Sequence, residues 1–187
     1  MGLGGVVGPV VFASAWMIGG AMKEGYSPVH DAISRLAAIG SNTRPLMTTG
    51  FVAFGVAVPA AAAAFRRAID GPAWISVAVT GIATLAVAAA PLEHSTSVDA
   101  LHAVFAGIGY LSLAAAPLLA ARPLARDGHP VLARLGVGVG SVAAVSLALT
   151  TTGLPTGLFQ RLGLTAGDVW LASTGVAIAA GRVRRQT

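Results

Sequence analysis

Six stretches, at roughly residues 3–22, 46–65, 72–91, 101–121, 135–153 and 164–181, run on without a lysine or arginine, and a single acid, Asp168, falls inside them. An α-helix needs about 20 apolar residues to match the roughly 30 Å of a bilayer's hydrocarbon core, and each stretch approaches that length. In such a solvent every backbone N–H and C=O must be satisfied within the protein, so long, uniformly apolar runs become helices. The expected fold is all-α: a polytopic membrane protein, with residues 1–187 forming one domain of six transmembrane helices.

The sparse charges set the orientation. Only 10% of residues are Asp, Glu, Lys or Arg and the mean hydropathy is +0.77, too little charge to cover a water-soluble surface of this size. Arg66 and Arg67, then Arg122, Arg126 and Arg134, then Arg182, Arg184 and Arg185 fall in the second connection, the fourth connection and the C-terminal tail. The remaining connections hold only Lys23, Arg35, Arg44 and Arg161. Basic residues flanking spans favour the cytoplasmic side, which places both termini inside a plasma or inner membrane. The formal charge of +5 then reflects contact with anionic lipid headgroups and not nucleic acid. The chain has no cysteine, which removes disulfides, thiolate metal sites and a thiol nucleophile. Ala13-Ser14-Ala15 lies mid-span with no basic segment before it, so the first span reads as an uncleaved helix.

On the opposite side the acids and histidines gather. In the first outer connection Ser27-Pro28 reads as an N-cap and first helical residue and Gly40 as a stop, which predicts a short interfacial helix acting as a lid. Val29, Ala32, Ile33, Leu36 and Ala37 form its apolar face, while His30, Asp31, Ser34 and Arg35 form the other. Asp31 and Arg35 are spaced either for a solvated ion pair or for a place at a pocket.

Between the third and fourth spans Glu93, His94, Asp99 and His102 crowd into a segment without a basic residue. Asp99 and His102 share a helix face, and a carboxylate beside an imidazole suits general acid/base work. Asp99 also suits a helix N-terminus by charge alone. Asp168 reads either as the end of a capping box begun by Thr165 or as an acid turned into the bundle at the outer end of its span. Trp170 reads as an interfacial anchor near a pocket mouth, to which Thr150, Thr151, Thr152, Gln160 and Arg161 contribute unless the threonines bond back to their own helix. Gly136, Gly138 and Gly140 lie inside an apolar span and make no dinucleotide fingerprint, so no cofactor is expected. Gly4 with Gly8 and Gly136 with Gly140 are spaced for close helix packing, within the bundle or in a homo-oligomer.

Tyr26-Ser27-Pro28, Ser34-Arg35-Leu36-Ala37, Ala90-Pro91-Leu92-Glu93 and Leu101-His102 resemble the pattern of a bacterial integral-membrane domain-of-unknown-function family, DUF998. The resemblance spans nearly the whole chain and implies six helices. It also implies site roles for Glu93, the acid after the third-helix proline, and for His102, the histidine opening the fourth helix. Ala90 stands where that pattern often has an aromatic, and His94 and Asp99 are not positions of the pattern.

These readings converge on an outer pocket in which Glu93, Asp99, His102 and Asp168 are the catalytic candidates, with Asp31, Arg35, His94, Thr151 and Trp170 around them. The expected activity is acid/base chemistry on a lipid-soluble substrate such as an isoprenoid chain. A carboxylic acid held neutral in an apolar pocket can protonate an alkene, as in small integral-membrane terpene cyclases. A transporter, channel or accessory subunit is the alternative, weakened because the charges gather at one end of the spans instead of near the midplane. A zinc-dependent lipid hydrolase is a further alternative and requires His94, Asp99 and His102 as ligands.

Overall fold

In the computed structural model, which describes residues 2–185, six helices follow one another: α1 Gly4–Met22, α2 Arg44–Ala68, α3 Ala73–Ala89, α4 Thr96–Arg126, α5 Pro130–Leu149 and α6 Thr156–Ala179. Among the described residues five helices are long and apolar enough to cross a membrane, and α3, at 17 residues, is shorter. Large apolar side chains point outward, Leu111 being 75% exposed and Val56 60%, as lipid contact requires and water would penalise. The chain is a polytopic, all-helical membrane protein.

Each helix packs on its sequence neighbours, and α1 also packs on α6, so the six close into a ring of antiparallel elements. Glycines set how close the helices come. A Cβ on Gly4 would collide with the carbonyl oxygen of Ala57, one on Gly8 would come within 3.3 Å of the Phe54 Cα, and one on Gly140 would lie 3.0 Å from the Ala114 oxygen. These glycines therefore serve contacts inside the bundle. The α4–α5 seam offers a paired test. A Cβ on Gly136 would lie 2.9 Å from the Pro117 oxygen, whereas one on Gly138 meets nothing within 4 Å. Gly136→Val should lower the thermal unfolding midpoint in detergent, an overpacking cost of about 1–3 kcal/mol. Gly138→Val should leave the midpoint where it is.

Two segments differ from the sequence expectation. The lid is a turn at Ser27–Asp31 followed by a five-residue 3-10 helix, Ile33–Ala37, and not one interfacial helix from Pro28. Asp31 Oδ2 accepts the Ser27 N–H at 2.8 Å and Ala32 is extended, with ψ 146°, so the first turn closes on itself and the helix cannot propagate. Nor does the segment lie along the surface. Ile33, Ser34, Leu36, Ala37 and Ala38 are buried and Val29 is exposed, so the segment plugs one end of the ring.

The sixth helix begins at Thr156, just after Pro155, and not near residue 164. Its first two turns carry Gln160 and Arg161, which read as loop residues in sequence but bond to the plug. With two extra turns before it, Asp168 stands halfway along α6, about 18 Å from the helix start, instead of at its outer end. Thr165 is mid-helix, which removes the capping-box reading.

Candidate functional site

The ring encloses a cavity of about 50 Å³, lined from α1, α2, α3, α4, α6 and the 3-10 plug. Its wall is mostly apolar: Phe12, Phe51, Phe54, Phe105, Leu113 and Leu164 are among the lining residues. Within α1 and α2 the Phe12 ring packs on Phe51 and Phe54, with centroids 5.7 and 5.4 Å apart, which fixes one side of the chamber. Asp168 reaches the cavity from the middle of α6. The residue is only 7% exposed, and its Oδ1 is buried without a hydrogen-bond partner. A buried carboxyl oxygen left unpaired costs about 1–3 kcal/mol, so its retention points to a ligand, a proton or a reaction.

The polar groups around it are arranged with some acceptors and donors left over. Thr80 and Thr84, one turn apart on α3, donate their hydroxyl protons to Ser76 O and Thr80 O at 2.8 and 2.9 Å, leaving their oxygens as acceptors. Gln160 uses both ends of its amide. Its Oε1 accepts the Ile33 N–H of the plug at 2.7 Å, and its Nε2 donates to the Tyr110 hydroxyl of α4. Because the Tyr110 oxygen accepts that bond, the phenol keeps its own proton for an occupant. Gln160 thus ties the plug, α6 and α4 together at the rim of the cavity.

Arg161 latches the plug from outside. Its Nη1 donates to Pro28 O at 2.7 Å, Asp31 O at 3.1 Å and Gly157 O at 2.9 Å, and its Nη2 donates to the Tyr26 hydroxyl. The guanidinium also lies over the Trp16 and Tyr26 rings, 5.2 and 5.5 Å from their centroids. The Leu158 N–H adds a bond to Val29 O at 2.9 Å. Burial raises the Tyr26 hydroxyl above its ordinary pKa near 10, against the lowering pull of Arg161. A group raised on folding contributes stability that is complete below its unfolded value and is lost as pH climbs through the folded one. Thermal stability should therefore fall as pH rises above about 10. The fall should be shallower in Tyr26→Phe, as read by unfolding midpoints across an alkaline series.

The chain matches the profile of the family described as "Protein of unknown function (DUF998)" over residues 6–177, from α1 through nearly all of α6. It belongs to the DUF998 family. No curated protein and no solved structure matches it.

In this DUF998 chain the expected site residues separate into two places. Of the four catalytic candidates only Asp168 lines the cavity, where Gln160, expected at the pocket mouth, joins it. Glu93, Asp99 and His102 stand at the plug end in the α3–α4 turn and the start of α4. Glu93 is exposed, adopts a left-handed φ of 65° and pairs with Arg35 at 3.6 Å. Asp99 Oδ1 accepts the Glu93 N–H at 2.9 Å, which holds that turn. Ser95 Oγ, accepting the Val98 N–H at 3.3 Å, caps α4 just before Asp99. His102 is buried, with Nδ1 2.7 Å from Ala90 O, and so pins the start of α4 to the end of α3.

Asp31 and Arg35 form the solvated pair, 3.9 Å apart, and Arg35 bridges onward to Glu93. His94 is exposed, and among the described residues no three His, Asp or Glu side chains converge to hold a metal. Thr151 is exposed and bonds back to Ala148 O at 2.8 Å. Trp170 is not at an interface: at 6% exposure it packs in the core against Phe65, 5.8 Å between centroids. With α6 starting at Thr156, residue 170 lies past the middle of the helix and not near its first turn.

The residues missed in sequence were Ser34, Thr80, Thr84 and Tyr110. For the threonines the signal was spacing: Ser76, Thr80 and Thr84 lie four apart in a largely apolar span, as do Gln160, Leu164 and Asp168 on α6.

Proposed function

We propose that the chain uses Asp168 as an acid toward an unsaturated, lipid-soluble substrate held among Phe12, Phe51, Phe54, Phe105 and Tyr110. The observation that carries this reading is the unpartnered Asp168 carboxyl opening onto an aromatic-walled chamber inside the bundle. The carboxyl O–H would protonate one alkene carbon, and the aromatic faces would steady the resulting cation. The same carboxylate, or a water beside Thr80 and Thr84, would then take a proton from a neighbouring carbon. The net result is isomerisation or ring closure, with no electron gained or lost.

A proton or small-cation pathway is the second reading, and two observations favour it. Asp168 stands halfway along a membrane-length helix, where transporters place their ionisable groups, and about 50 Å³ suits a few waters better than a lipid chain. One experiment separates the two. Wild-type and Asp168→Asn protein, purified in detergent, are compared by mass spectrometry for co-purifying isoprenoid or other unsaturated lipid, and for its conversion on incubation. The same proteins in liposomes are assayed for proton flux with a pH-sensitive dye. Conversion lost in Asp168→Asn supports the acid reading. Flux lost without any lipid conversion supports the pathway and overturns the enzyme.

A further inference from the structure

Asp168 lacks a counter-charge within the bundle. Among the described residues none that lines the chamber is a lysine, arginine or histidine, and the Asp168 Oδ1 is buried without a donor. An ion without a partner is costly in a low-dielectric interior, so the carboxylate is neutralised by a proton or by a cation. The surrounding groups favour the cation. Thr80 and Thr84 also line the chamber, and each spends its hydroxyl proton on a carbonyl of its own helix, at 2.8 and 2.9 Å. What these hydroxyls keep is lone pairs. A single carboxylic O–H can reach only one of them, whereas a hard cation gathers several oxygens at once.

The helices bring these oxygens to about the same depth. α3 runs toward the plug, while α4 and α6 run away from it. A Cβ on Gly109 of α4 would meet the Ala83 Cβ of α3 at 3.6 Å, and one on Gly167 of α6 would strike the Leu113 side chain of α4. Counting from those two contacts along each helix, Thr80 lies within about 3 Å of the depth of Asp168. Thr84 stands one turn nearer the plug, Tyr110 bonds Gln160 at the rim, and Ser34 belongs to the plug itself. Hydroxyl groups thus lead from the plug to the carboxylate.

We infer that the chamber binds one sodium ion, held by the Asp168 carboxylate with the Thr80 and Thr84 hydroxyl oxygens and reached past Ser34 and Tyr110. The inference rests on the cation reading of Asp168 and names its ion. Oxygen ligands alone select a hard cation over a soft one. One carboxylate balances a single positive charge, and a divalent ion would leave a net charge among Phe51, Phe54 and Phe105. About 50 Å³ has room for a small ion with a water or two and not for a divalent ion with its hydration shell. The same lack of room favours sodium over the larger potassium.

Purified protein in neutral detergent and a sodium-free choline buffer would be equilibrated with radioactive sodium, and bound label counted by scintillation proximity against unlabelled sodium or potassium. The expected result is saturable binding of one sodium per chain, displaced by sodium at a concentration about tenfold below that needed of potassium. Asp168→Asn should abolish it. Thr80→Val keeps the shape and removes one ligand oxygen, so it should weaken binding by about tenfold. Thr49→Val removes a back-bonded hydroxyl exposed on α2 and should bind as wild type does. No saturable binding by wild type up to physiological salt overturns the sodium site, and so does binding that survives in Asp168→Asn or is unchanged in Thr80→Val. Equal displacement by potassium overturns the choice of ion. Flux in liposomes keeps this separate from the reading beneath it. Proton flux that depends on Asp168, in protein that binds no sodium, overturns the sodium site and leaves the pathway. Sodium binding without flux of either ion keeps the site and overturns the pathway.

Discussion

Asp168→Leu should make the protein more stable and inactive at once. Leucine branches as aspartate does, and it replaces two polar atoms, one of them buried without a hydrogen-bond partner, with methyl groups in a cavity that Phe51, Phe54 and Leu113 also line. Removing an unpaired buried polar group is worth about 1–3 kcal/mol, which for a chain of this size is a rise of a few degrees in the unfolding midpoint. Asp168→Asn is the control. It keeps the shape and the polar burden while removing the acidic proton, so it should lose lipid conversion or proton flux without gaining stability. A residue that costs stability and supplies the chemistry is the usual mark of a functional site. Were Asp168→Leu instead to lower the midpoint by several degrees, the carboxyl would be a structural member of the core. Both functional readings would then lose their central residue.

How much of this was legible in sequence follows from which forces act locally. Span number and the ring's arginine-rich end could be read because hydropathy and basic flanks are properties of single segments. The glycine pairs were legible for the same reason, since four-residue spacing alone places them on one helix face. The site was read less well because it depends on where α6 begins. Gln160 and Arg161 look like loop residues when considered alone, and they are helical because the plug supplies carbonyls and an N–H for them to bond. That tertiary contact moves Asp168 by about two turns. The move takes it out of the cluster of Glu93, Asp99 and His102 and into a chamber with Tyr110 and Thr80, which no local pattern connects to it. The cluster has structural work in its place: Asp99 holds the Glu93 turn and His102 joins α4 to α3. Asp168 thereby leaves the end of the spans at which Glu93, Asp99 and His102 remain.

Arg161→Ala should open the cavity. The chamber of about 50 Å³ is too small for an isoprenoid chain, so under the acid reading a substrate enters only when the wall moves. The plug, a turn and a five-residue 3-10 helix, is the shortest element of that wall. Arg161 bonds two of its carbonyls, at Pro28 and Asp31, and stacks on Tyr26, while Gln160 and Leu158 contribute one backbone bond each to Ile33 and Val29. Bonds from a charged donor are worth about 1.5–3 kcal/mol each, and losing two of them should raise plug opening by roughly 10²-fold or more. Hydrogen exchange would show this as lost protection at residues 27–34, with α5 and the arginine-rich end unchanged. Arg161→Lys should recover only part of it, because an ammonium cannot reproduce the planar fork that spans these carbonyls and covers two rings. The functional consequence separates the readings once more. If the plug gates a lipid substrate, Arg161→Ala should exchange bound lipid faster and tolerate bulkier chains. If the cavity carries protons through a closed bundle, the same variant should leak protons, and added lipid should make no difference. Unaltered exchange at residues 27–34 would mean that the plug is held by the burial of Ile33 and Leu36 and not by the latch.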